Sequence, residues 1–154
     1  MMSHKSSEFR RRFVLNDLAA TGALGARIAA GLRRGTAVAL EGELGTGKTA
    51  LARAVLRAQG LKEEAPSPSF SLVQSYDLPG LTVAHFDLYR IDHDAELAEL
   101  GIEDALDQGA ILIEWPKRAS GLLPEDTLFV HLASGIHGLR YVELNGPQRW
   151  ASYF

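Results

Sequence analysis

The sequence predicts an α/β fold, a three-layer sandwich with a mixed, mainly parallel central sheet and antiparallel edge strands. Three observations carry that expectation. Short continuous apolar runs, Ala37-Val38-Ala39-Leu40 and Ala110-Ile111-Leu112-Ile113, read as strands covered on both faces. Segments with helical spacing alternate with such runs, which places helices against a sheet. Between the first run and the helical segment Ala50 to Gln59 lies Gly42-Glu43-Leu44-Gly45-Thr46-Gly47-Lys48-Thr49, a full match to G-x-x-x-x-G-K-[ST]. Strand, glycine loop and helix in that order form the P-loop unit, so the expected sandwich is P-loop NTPase-like.

The elements follow in order. Arg12-Phe13-Val14-Leu15 reads as a short strand. Asn16 or Asp17 can cap a helix from Leu18 to about Leu32, with Leu24, Ile28 and Leu32 on one face. Ala37 to Glu41 is the strand before the loop, and the helix after it stops at Gly60, a good residue just past a helix end. Pro66 and Pro68 make the next stretch a loop. Ser71 to Tyr76 and Leu81 to Phe86 read as a hairpin, because Pro79-Gly80 suits a type II turn. Asp92 or Asp94 can cap a short helix ending at Gly101, and a second short helix spans Glu103 to Asp107. After the strand Ala110 to Ile113, Thr127 to Leu132 and Leu139 to Leu144 read as two antiparallel strands.

At 154 residues the chain is long enough for one domain with a real core. We expect a disordered tail over 1–11, the domain over 12–146, and a second tail over 147–154. With 46% hydrophobic and 23% charged residues, the composition is that of a globular chain. No cysteine is present, which excludes disulfides and thiolate metal sites. No apolar run approaches the length of a membrane span. The polar, basic start of the chain lacks the apolar core of a secretory signal, so a cytoplasmic location is expected. A net charge of −3 argues against tight, non-specific nucleic-acid binding by this chain alone.

The loop is where chemistry concentrates. Glycines let the backbone approach phosphate oxygens closely, and successive N–H groups then form an anion nest at a helix N-terminus. Lys48 can reach the β and γ phosphates, and the Thr49 hydroxyl can ligate Mg²⁺. The candidate nucleotide-binding residues are Gly42, Glu43, Leu44, Gly45, Thr46, Gly47, Lys48, Thr49 and Ala50. Such a site needs an acid at the carboxyl end of a buried strand. Asp87 and Glu114 both stand at such ends, and either can hold the metal while the other orients the attacking water. Asp77-Leu78-Pro79-Gly80 matches a GTPase D-x-x-G, but the turn accounts for it and no Asn-Lys-x-Asp occurs, so ATP is the expected nucleotide. His85 reads as a packed or hydrogen-bonded histidine rather than a catalytic one. Ser67, Ser69 and Ser71 read equally well as loop-capping hydroxyls or as groups near the γ-phosphate. Arg90 is a candidate phosphate or partner contact, while Lys117 and Arg118 read as ordinary surface charges.

Several segments, in order and spacing, resemble the TsaE (YjeE) family of bacterial P-loop ATPases. They are the P-loop, Ser67-Pro68-Ser69-Phe70-Ser71-Leu72-Val73, His85-Phe86-Asp87-Leu88-Tyr89-Arg90, Glu96-Leu97, Leu100-Gly101 and Glu114-Trp115-Pro116. The likeness spans about residues 13 to 144. It implies Thr49 and Glu114 as Mg²⁺ ligands, Asp87 as a catalytic residue near the γ-phosphate beside the catalytic Lys48 of the P-loop, and a switch loop at Ser67-Pro68-Ser69-Phe70. It also implies a role, with partners TsaB and TsaD, in forming threonylcarbamoyl-adenosine beside the anticodon of ANN-reading tRNAs, with weak ATPase activity in their absence. Two departures stand out: Ser69 where the family has Thr, and Gly138-Leu139-Arg140 where a nucleotide-contacting Gly-Arg is expected. The alternative reading is a small-molecule P-loop kinase. Its arginine-bearing lid would have to come from Pro116 to Pro124.

Overall fold

A computed structural model describes residues 8–43, 45–66, 68 and 72–154. Its helices and strands run in the order β1 (Glu8–Leu15), α1 (Leu18–Gly31), β2 (Ala37–Glu41), α2 (Lys48–Ala58), β3 (Val73–Leu78), β4 (Leu81–Asp87), α3 (Asp94–Glu99), α4 (Ile102–Gln108), β5 (Ala110–Glu114), β6 (Leu128–Ser134) and β7 (Arg140–Pro147). Among the described residues the strands form one sheet in the order β1-β7-β6-β2-β5-β4-β3. The four central strands are parallel, and β3, β7 and β1 pair antiparallel at the edges. This is the mixed three-layer sandwich that the alternation of apolar runs and helices predicts.

Side chains along the central strands feed two cores in turn. Val38, Leu40 and Leu112 pack on the face covered by α1 and α2. Ala37, Ala39, Ile111 and Ile113 pack on the face covered by α3, α4 and the 3-10 helix Pro116–Leu122. Both faces are buried, which is why these strands read as unbroken apolar runs rather than alternating ones. The same period of two puts His85, Asp87 and Glu114 on the α1/α2 face, in line with Val83 and Leu112.

Helix ends follow local chemistry. The Asp17 side chain accepts from the Ala20 amide at 2.8 Å and so caps α1. Beyond α2, Gly60 takes a left-handed φ of 111°, and the Leu61 amide reaches back to the Leu56 carbonyl at 3.0 Å. The cap of α3 is His93, with no side-chain bond; Asp94, expected as a cap, is instead the first helical residue. In the hairpin β3 runs on to Leu78, leaving only Pro79-Gly80 in the turn.

Residues 8–11 and 147–154, expected to lie in tails, belong to the folded domain. β1 begins at Glu8, four residues before the predicted Arg12, and pairs with β7 from Glu8↔Pro147 to Leu15↔Arg140. Arg10, Arg11 and Arg12 are therefore edge-strand residues, a position where charge discourages further pairing. At the other end, Gln148–Tyr153 forms a 3-10 helix whose Trp150 is fully buried, and Phe154 stacks on Phe9 at 5.9 Å. Neither feature has a local signal, because both are fixed by partners far away in sequence.

Candidate nucleotide site

The glycine loop joins β2 to α2. Gly47 stands at the N-cap of α2 with φ 101°, a conformation that a side chain would strain. A glycine there also offers no capping oxygen, so the first N–H groups of α2 face the loop, where an anion can take them. Thr46 Oγ1 donates to the Glu43 carbonyl at 2.7 Å and braces the turn. Leu44, counted among the candidate contacts, lies outside the described residues, as do Ser67, Ser69, Phe70 and Ser71 of the expected switch loop.

Lys48 is buried and folds back over its own loop. Its ammonium donates to the carbonyls of Gly42 and Glu43, the latter at 3.1 Å, and lies 3.9 Å from the centre of the Trp115 ring. Burial pulls its pKa below the usual lysine value, against the opposing pull of the Glu114 and Asp87 carboxylates. The cation and both acids therefore share one electrostatic neighbourhood.

The two strand-end acids are register partners on adjacent parallel strands, Asp87↔Glu114. Thr49 Oγ1 lies 3.1 and 3.2 Å from the two carboxylate oxygens of Glu114, so the hydroxyl donates across the cleft to the acid. Glu114 is buried, and its Oε2 is 2.7 Å from His85 Nε2. Asp87 is buried as well, and its Oδ1 accepts the Tyr89 amide at 3.0 Å. A hydroxyl and a carboxylate facing one another are hard oxygen donors. They suit a small divalent cation that keeps waters and phosphate oxygens in its shell instead of demanding an all-protein cage.

A cleft of about 480 Å³ opens over these groups. Of the sequence candidates, Gly45, Gly47, Lys48, Thr49, Ala50, Asp87 and Glu114 line it. Gly42, Glu43 and Thr46 instead line a neighbouring cavity of about 720 Å³ on the other side of the loop. Arg90 also reaches the cleft, whereas Lys117 and Arg118 face the neighbouring cavity. Three further residues complete the cleft: Tyr89, Trp115 and Arg140. Tyr89 and Trp115 pack ring to ring at 4.8 Å, and Trp115 adopts φ 59°, a strained conformation for a bulky residue. The guanidinium of Arg140 lies over Gly47, where a Cβ would sit 3.3 Å from Nη1. The Glu114-Trp115-Pro116 block hinted at Trp115. Arg140 stands one residue past the position where the family likeness expects a nucleotide-contacting arginine after Gly138, and β7 brings it to the cleft.

A strand, a glycine loop closed by Lys48 and Thr49, and a helix, set in a mixed three-layer sandwich, define a P-loop NTPase-like protein. A family model described as "Threonylcarbamoyl adenosine biosynthesis protein TsaE" matches residues 15–140, and the chain belongs to the TsaE family. The TsaE protein of Rickettsia bellii is 38% identical over 120 residues, 77% of this chain and 83% of its own length. That of Haemophilus influenzae is 41% identical over 96 residues, 62% of this chain and 61% of its own length. The crystal structure of YdiB from Bacillus subtilis superposes with a TM-score of 0.79, covering 95% of this chain and 92% of the other at 22% identity. That likeness speaks for the fold. No helix among the described residues is long and apolar enough to cross a membrane.

Proposed function

We propose that this chain is an ATPase that acts with a TsaB–TsaD-like complex in building threonylcarbamoyl-adenosine on ANN-reading tRNAs, in the cytoplasm. Family membership supports the pathway. The observation that carries the chemistry is the approach of Thr49 to Glu114 across the cleft. In this reading those two residues would hold Mg²⁺, and the amides of the glycine loop would hold the phosphates. The bound metal would offset charge on the β and γ phosphate oxygens.

The chain's own groups account for the rest. Lys48 exchanges its two carbonyl partners for phosphate oxygens, a short swing that releases its ammonium from a poorly solvated position. Trp115 and Tyr89 wall the reacting end from water. Asp87, next to Glu114 in register, accepts a hydrogen from the attacking water and so orients it. Arg140 adds positive charge beside the loop at Gly47.

Two measurements test this reading. Titration calorimetry of MgATP into the protein should give binding heat that Lys48→Ala and Thr49→Ala abolish; an absence of heat with the wild type would remove the proposal. With ATP and Mg²⁺ present, the protein should co-purify with a TsaB–TsaD complex, and indifference to nucleotide would refute the partner cycle.

A further inference from the structure

We infer that His85 is a positioning residue: its ring fixes the Glu114 carboxylate in the orientation that the divalent metal requires. The inference rests on the reading of Thr49 and Glu114 as metal ligands. His85 is fully buried on β4, and Glu114 is nearly so on β5. Nε2 of the ring is 2.7 Å from Oε2 of Glu114, while Nδ1 has no hydrogen-bond partner among the described residues. The ring proton therefore belongs on Nε2, since a carboxylate oxygen at that distance needs a donor. A bare Nδ1 lone pair is also a cheaper orphan than a buried N–H.

The two neighbours of Glu114 hold different parts of it. Thr49 Oγ1 sits almost equidistant from both carboxylate oxygens, so the hydroxyl alone leaves the carboxylate free to rotate about its Cγ–Cδ bond. His85 touches one oxygen only and breaks that symmetry. With Oε2 tied to the ring, Oε1 is the oxygen left to face the cleft. A rigid strand supplies the clamp, because β4 and β5 are paired in parallel along Val83↔Ala110 to Asp87↔Glu114. Hydrogen bonds of this kind to a metal-ligating carboxylate orient it and raise metal affinity. The alternative reading of His85 as plain core filling leaves unexplained why, among the described residues, the ring's polar contact is made to Glu114.

The test separates metal affinity from nucleotide affinity and from folding. ADP binding is measured by calorimetry with Mg²⁺ and again with EDTA, and the ratio of the two affinities reports the metal. In His85→Leu that ratio should fall by about 10- to 100-fold, with ADP affinity in EDTA unchanged. His85→Gln, whose amide can reach the position of Nε2, should restore it; His85→Asn, one methylene shorter, should not. Far-UV circular dichroism and a thermal midpoint qualify each variant. Should His85→Leu fail to fold, the Gln and Asn pair decides alone: equal ratios in both would overturn the inference. A folded His85→Leu that keeps the wild-type ratio also overturns it, while the ligand assignment survives. If the wild-type protein binds ADP equally with Mg²⁺ and with EDTA, the metal reading itself falls and takes this inference with it.

Discussion

Two side chains near the core sit at a cost that can be measured. The Tyr76 hydroxyl on β3 is buried without a hydrogen-bond partner among the described residues, and burial raises its pKa, with Arg53 opposing. Removing an unsatisfied buried hydroxyl relieves its desolvation, so Tyr76→Phe should stabilise the protein by about 1 kcal/mol, read as a higher urea midpoint at unchanged slope. Lys48 is the second. Its folded pKa is lowered, so the unfolded chain binds its proton more tightly than the native one. The ligand-free protein should therefore gain stability as pH rises from the lowered value towards the ordinary lysine range. Lys48→Met should lack that gain when the two are compared by urea unfolding across an alkaline pH series. Both residues could be picked from the sequence only in part. Lys48 is named by its motif, whereas the environment of Tyr76 arises from neighbours that no local pattern reveals.

Packing of α1 on α2 sets how the phosphate loop is presented. Gly25 lies at their crossing, and a Cβ there would come within 2.6 Å of the Ala54 Cβ and 2.9 Å of the Ala54 carbonyl carbon. Gly25→Ala should push the helices apart and cost about 1–3 kcal/mol despite the better helix propensity of alanine. Chemical denaturation measures it, and a stabilised variant would show that the crossing has slack. Elements with strong local signals were legible: β2, β5, α1, α2 and the Pro79-Gly80 turn lie where apolar runs, caps and glycines put them. Boundaries were less so. β1 extends back to Glu8 because β7 offers backbone partners along its whole length, and nothing in the pattern before Arg12 signalled a strand.

At the scale of the whole molecule, the C-terminal turn is tied into the fold. Trp150 is fully buried against Gly31, its indole N–H donates to the Asp126 carbonyl at 2.8 Å, and Arg149 donates to the Gly31 carbonyl at 3.1 Å. The last turn thus locks α1, β1 and β7 into one unit. Trp150→Ala should cost about 3–5 kcal/mol, read as a large drop in thermal midpoint. A near-neutral result would mean that this segment is an ornament on the domain rather than part of its core. Because the same unit carries Arg140 to the cleft, its loosening should also weaken MgATP binding, measured by calorimetry on the folded fraction.

Local pattern alone specifies a phosphate loop, strands that run apolar because both faces are covered, and two acids at strand ends. These are short-range facts of backbone freedom and side-chain periodicity. Which groups meet depends on the packing of distant elements. The parallel register of β4 and β5 sets Asp87 beside Glu114, and the sheet's period of two turns His85 onto the same carboxylate. The antiparallel return of β7 brings Arg140 over Gly47. Those meetings depend on hydrogen-bond register between strands remote in sequence, which no window along the chain contains.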